Sequence, residues 1–256
     1  RQCIRLNHGS VTPVAKHRSF TIGCVDGPTS RTLLARVVEA VRERSPRAEI
    51  ADAAGAYRSV ASLVQALSKK TIDLAVVDGR EMPESLHAGL EIVAIPKRSN
   101  PYDVLVSSGS LLDDVPEGET LVSTCPGVMA QARYFRPDLT HVLRNDSIGN
   151  LIGDVECGKI AGFVCPAADV EAMQQQDRVS EVFTSSVIMP APGQGILAIL
   201  ARAGDRDVES IAGALNDQSS IAEYGTERML LAMMQRTGCC HIGVLANYED
   251  DRFHIE

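Results

Sequence analysis

The stretch 72–108, IDLAVVDGREMPESLHAGLEIVAIPKRSNPYDVLVSS, decides the fold. It reads as an apolar strand over Ile72–Val77, a charged turn at Arg80 and Glu81, a stop at Pro83, and two further apolar runs. A carboxylate beside a guanidinium just past a strand's C-terminal end stands where open α/β sheets gather ligand chemistry.

Working outward, Phe20–Cys24 reads as a strand, Asp26-Gly27-Pro28 as a turn, and Thr29 or Ser30 as a helix N-cap. Leu33, Leu34, Val37, Val38 and Val41 fall at helical spacing until Ser45-Pro46 stops the run. A second helical pattern, Val60, Leu63, Val64 and Leu67, leads into the strand at Ile72. Strand and helix alternate through the first hundred residues, a βαβ signature that predicts a parallel sheet.

The pattern restarts near Glu119. Leu121-Val122 is a short strand, Ser123-Thr124 can cap the next helix, and His141–Leu143 is a strand followed by a helix capped near Ser147. Ala161–Cys165 is a further strand, with a helix from Ala167. No sequence repeat links the two halves. Pro190–Gly195 breaks the chain before the strand Ile196–Leu200, and helices follow around Val208–Leu215 and Ile221–Met234. A hairpin ending at Glu256 closes the pattern. The expected domains are 19–100 with 196–215, then 101–193, then a small α+β piece over 216–256.

Composition narrows the function classes. Net charge is −8, which argues against nucleic-acid binding. No apolar run reaches the roughly 18 residues of a membrane helix. The start, RQCIRLNHGS, has no apolar signal core, so a cytoplasmic location is expected. Seven cysteines, an odd number at irregular spacing, read as reduced thiols rather than a disulfide framework. With no C-x-x-C and no H-x-x-x-H, a metal site is not expected.

Several separated motifs resemble the porphobilinogen deaminase (hydroxymethylbilane synthase) family, in the family's order. Ala75-Val76-Val77-Asp78-Gly79-Arg80-Glu81-Met82-Pro83 falls on its A-V-H-S-x-K-D-M-P. Arg136-Pro137-Asp138-Leu139 matches as well, Pro190–Gly195 falls on P-A-x-G-Q-G, and Thr226–Leu230 on A-E-R-x-F-L. Thr237-Gly238-Cys239 stands where the family has G-G-C. The resemblance covers roughly Phe20–Ala246. It implies two domains like type II periplasmic binding proteins around a cleft with a hinge, plus a small C-terminal α+β domain.

The resemblance also implies site roles. Glu81 takes the position of the family's proton-handling aspartate, where a carboxylate can stabilise a cationic azafulvene-like intermediate. Cys239, or Cys240 beside it, would carry a dipyrromethane cofactor. Arg80, Arg144, Thr124 and Gln194 would bind that cofactor, and Ser30, Asp78 and Ser123 the substrate. Ser30 and Thr124 would act as helix-start anion contacts, or as plain N-caps. Asp103 and Arg98 match family residues near a chain crossover. The partner would be a pyrrole-type small molecule, bound by a monomer without nucleic acid or membrane.

This chain departs from the pattern in its charges. The family's S-S-L-R-R falls on Cys125-Pro126-Gly127-Val128-Met129. Its R-G-N-V-x-T-R-L falls on Arg144–Leu151, with Asp146 at the asparagine and Asn150 at the second arginine. The first-strand arginine falls on Val25, and another near Ala172. The lid segment is short, leaving Tyr57 and Arg58 as cover, and Arg31, Arg58 or Arg133 as replacement cations. Two readings therefore stand: a diverged pyrrole transferase, and a non-catalytic paralogue that keeps the scaffold without the chemistry.

Overall fold

Strand β1 (Ser19–Cys24) opens the first sheet, and helix α1 (Pro28–Arg44) follows. The computed structural model describes residues 19–26, 28–44, 46, 49–53, 55–238 and 242–256. Then come β2 (Glu49–Asp52), α2 (Val60–Ser68), β3 (Leu74–Asp78) and β4 (Leu90–Ala94). The second sheet takes β5 (Asp103–Ser107), β6 (Thr120–Ser123), α3 (Pro126–Phe135), β7 (Thr140–Leu143), α4 (Ile148–Glu156), β8 (Gly162–Pro166), α5 (Ala167–Ala172) and β9 (Val179–Val182). The chain closes with β10 (Leu197–Arg202), α6 (Arg206–Gly213), α7 (Gln218–Gln235) and a hairpin of β11 (Ala246–Glu249) and β12 (Arg252–Ile255).

Two compact units result. Among the described residues, the first takes those up to Arg98 together with Ile196–Gly225, and the second takes those of Ser99–Gly195 and Thr226–Glu256. Their strand orders are β2-β1-β3-β10-β4 and β7-β6-β8-β5-β9, which is one plan used twice. Neither sheet is wholly parallel, against the expectation. β10 runs antiparallel to β3 and β4, and β5 antiparallel to β8 and β9. In each sheet the reversed strand directly follows a passage of the chain between units.

Alternation sorts the core residues onto the two faces of each sheet. On one face of the first sheet Ile22, Leu74, Val76 and Ile199 pack with Leu34, Val38 and Val41 of α1 and Val208 and Ile211 of α6. On the other, Ala75, Val77, Ala198 and Leu200 pack with Leu63 and Leu67 of α2 and Tyr224 of α7. The second sheet repeats the arrangement. Val104, Val122 and Phe163 meet α4 and α5, while Leu105, Leu121 and Val164 meet α3.

Two expected caps lie elsewhere. α1 begins at Pro28, so Thr29 and Ser30 sit inside its first turn rather than at its cap. Proline is preorganised for the first helical position, which moves the start ahead of the hydroxyls. Likewise Pro126 opens α3, and its N-cap is Cys125, not Ser123 or Thr124, with no side-chain cap bond. Ser147 does cap α4, accepting from the Asn150 amide at 3.3 Å. Among the described residues no helix is long and apolar enough to cross a membrane.

Candidate functional site

In a doubly wound sheet the crevice opens where neighbouring strands send their connections to opposite sides. In the first unit that point lies between β1 and β3, which are parallel neighbours with Cys24 beside Val76. Asp78 ends β3 and caps a single 3₁₀ turn, Gly79–Glu81. Its carboxylate accepts from the Arg80 amide at 2.8 Å, and from Arg80 Nε and Nη2 at 3.0 and 2.7 Å. Asp78 and Arg80 therefore form a forked pair, and Glu81 follows with its side chain exposed. The turn is anchored below. The Gly79 amide donates to Ile196 O at 2.8 Å, and the buried Tyr224 hydroxyl donates to Gly79 O at 3.2 Å.

Around the same edge, Ser30 is half-buried in the first turn of α1. Arg31 is held by Asp26, with Nη2 at 2.7 Å from Oδ1. Gly55 (φ +80°) lies under that guanidinium, so that an added Cβ would stand 2.8 Å from Nη2. Tyr57 packs over Gly23, where a Cβ would come within 3.0 Å of its ring, and Arg58 is exposed. Burial, then Asp52, pushes the Cys24 thiol from 9.0 up to about 11. Cys24 thus keeps its proton in the fold at pH values where the unfolded chain has lost it. The stability it contributes is full below pH 9 and is lost as pH climbs toward 11. At pH 8, iodoacetamide is expected to label exposed Cys157 and to spare Cys24. Equal labelling rates in a peptide map would contradict this environment for Cys24.

The second unit builds the same edge from β6, β7 and β8. Ser123 is paired in register with Leu143 and Val164, and the Arg144 amide donates to Ser123 O at 3.0 Å. Ser123, Thr124 and Arg144 are thereby brought together. The Ser123 side chain is fully buried, and its Oγ has no hydrogen-bond partner among the described residues. The Thr124 amide donates to Val164 O at 3.3 Å. Arg133 is exposed on α3.

Arg144 is engaged by two carboxylates of its own unit. Nε donates to Asp146 at 2.6 Å and Nη2 to Asp154 at 2.8 Å, and Lys159 Nζ reaches Asp154 at 2.9 Å. Its hydrogen bonds to Asp154 and Asp146 push the guanidinium's pKa up, and the bonds that Asp154 accepts from Lys159 and Arg144 hold its carboxyl below the usual carboxylate range. These groups line an open depression of about 510 Å³ beside α4, together with Asn150 and Cys157. Neither Asp146 nor Asp154 was among the residues expected from sequence, although Arg144-Asn145-Asp146 carries a usable signal. The same i,i+2 spacing pairs Asp78 with Arg80 and Arg136 with Asp138.

Gln194 is buried, and its Nε2 donates to Pro101 O at 2.8 Å and to Asp103 Oδ2 at 2.9 Å. Arg98 is also committed within its unit, with its amide on Ser220 Oγ at 2.8 Å and its guanidinium 3.5 Å from Glu223. Glu227, from the motif on α7, is buried and accepts from the Gly193 amide at 2.7 Å and the Ala246 amide at 2.9 Å. Cys239 and Cys240, the expected attachment points, lie outside the described residues.

The family model described as "Porphobilinogen deaminase, dipyromethane cofactor binding domain" matches residues 43–210. Porphobilinogen deaminase 1 of Streptomyces coelicolor is 31% identical over 206 residues, 78% of this chain and 65% of that protein. Porphobilinogen deaminase of Clostridioides difficile is 32% identical over 200 residues, 77% of this chain and 66% of that protein. The chain spans just under two thirds of the length of these relatives. Among solved structures, a periplasmic substrate-binding protein of an ABC transporter from Coxiella burnetii matches with a TM-score of 0.50 at 12% identity, over 79% of this chain and 94% of that one. That likeness gives the fold, two α/β units of the type II periplasmic-binding-protein kind. The family match runs from the end of α1 into α6 and takes in the turn after β3 and the Arg144 loop, so this chain belongs to the porphobilinogen deaminase family.

Proposed function

We propose that this chain is a pyrrole transferase of the porphobilinogen deaminase type. It would release ammonia from an aminomethylpyrrole and join the activated ring to a second pyrrole. The observation that carries the reading is Glu81, an exposed carboxylate on a turn fixed at the C-terminal end of β3. Loss of ammonia leaves a cationic ring, which a nearby carboxylate stabilises, and joining to the second ring releases a proton that a carboxylate can accept. Asp78 cannot readily serve, because Arg80 holds it in a fork. Cys24, Cys125, Cys157 and Cys165 are thiols outside any disulfide among the described residues, which accords with a reducing cytoplasmic setting.

Dipyrromethane brings acetate and propionate groups that need cations. Arg80 and Arg144 are both neutralised by aspartates, so these two stations as they stand do not fit that group. The proposed chemistry therefore rests on Glu81 and a pyrrole of lower charge. The same observation favours a second reading, a non-catalytic paralogue that binds a small molecule and does not transform it.

The test is consumption of porphobilinogen, and of 2-aminomethylpyrrole, which has no carboxylate, with matching ammonia release by the purified chain, set beside Glu81→Gln. The variant is expected to lose about 100-fold or more in turnover, the usual contribution of a positioned proton-transfer group. Unchanged turnover in Glu81→Gln would remove Glu81 from the role. No turnover by the parent protein, with porphobilinogen still bound, would favour the binding paralogue.

A further inference from the structure

We propose that Asp146 and Asp154 are specificity-determining residues that close the Arg144 station to carboxylate-rich ligands. The inference rests on the pyrrole-transferase reading and adds the charge class of the ligand. The depression beside α4 holds two cations, Arg144 and Lys159, and two carboxylates, Asp146 and Asp154, in one connected chain of ion pairs. Its formal charge balances to zero. The Nε and Nη2 edge of Arg144, one of the two forks by which a guanidinium grips a carboxylate, is already divided between the two aspartates.

A ligand carboxylate entering here would have to displace an internal partner that is covalently tethered and already in place. It would also meet the repulsion of the partner that stays. Asn150, Cys157, Gly149 and Gly153 complete the lining. Such a surface accepts a ring with N–H donors and disfavours a ligand carboxylate, the more so the more carboxylates the ligand carries. Asp146 is the more adjustable of the two, because its side chain is 37% exposed against 15% for Asp154. Asp154 also holds Lys159, so it cannot be removed without freeing a second cation.

The experiment titrates the full chain with tricarballylate, a tricarboxylate that no pyrrole chemistry consumes, by calorimetry at low and moderate salt. Asp146→Asn is expected to tighten binding by about tenfold to a hundredfold, the worth of one charge-assisted hydrogen bond released to the ligand. The gain should shrink with salt and vanish in Asp146→Asn/Arg144→Gln. Parent and Asp146→Asn binding with equal affinity, or a gain that survives loss of Arg144, would overturn the proposal. Asp146→Ser gives the same readout if the asparagine variant folds poorly. Because tricarballylate is not turned over, this result is independent of porphobilinogen consumption. A chain inactive on porphobilinogen that still shows the Arg144-dependent gain would retain the inference and lose the transferase reading.

Discussion

Replacing Glu227 with alanine is expected to lower the stability of the second unit by about 2–6 kcal/mol, from two buried donors at about 1–3 kcal/mol each. Its two oxygens accept from the Gly193 and Ala246 amides, at 2.7 and 2.9 Å, and neither amide has water to turn to. The side chain thus ties the turn before β10 to the first strand of the C-terminal hairpin. Glu227→Gln should fall between parent and alanine, because it keeps one carbonyl oxygen but turns an NH₂ toward the other donor. Denaturant midpoints give the size of the effect, and hydrogen exchange at Gly193 and Ala246 gives its place. An alanine variant with the parent's midpoint would show that the carboxylate is not what holds these segments.

Gly195→Val is the second change of large effect, at about 3 kcal/mol or more. Gly195 has φ +76°, and a Cβ there would lie 2.8 Å from Ser99 O and 3.0 Å from Asn100 O. Both obstacles are backbone, so neither can swing aside, and a β-branched residue tolerates this φ worst. Gly109→Ala separates the two contributions. Gly109 also has positive φ (+100°), but an added Cβ meets nothing within 4 Å. It should cost only the conformational part, about 1–2 kcal/mol. If thermal melts place both variants together, the close approach at Gly195 is not a real constraint.

Most elements were legible from spacing. The α1 run Leu34, Val37, Val38 and Val41 and the α2 run Leu63, Val64 and Leu67 occur as expected, on opposite faces of one sheet. Strand direction was not legible. Ile196–Leu200 is apolar whichever way it runs, and only its pairing with β3 and β4 makes it antiparallel. Cap positions slipped for a local reason, since Pro28 and Pro126 each open a helix that hydroxyl residues were expected to cap. At the candidate site, residue types and the strand-end location could be read from the chain. The state of the arginines could not. Whether Arg80 and Arg144 face a ligand or their own aspartates depends on loop geometry, and here Asp78, Asp146 and Asp154 take them. The absence of a visible repeat also hid the shared strand order, because each sheet asks only for alternating apolar residues and not for particular ones.

The reversed strands set a timetable for the nascent chain. All five strands of the second sheet have been synthesised once Val182 leaves the ribosome. The first sheet, although it starts earlier, lacks its member between β3 and β4 until Arg202 has emerged. Long-range pairings of this kind carry the largest closure entropy and form late. Of the two five-stranded sheets, the one translated first is therefore the last to be completed, and β3 and β4 wait with a gap between them while the second sheet already has all five of its strands.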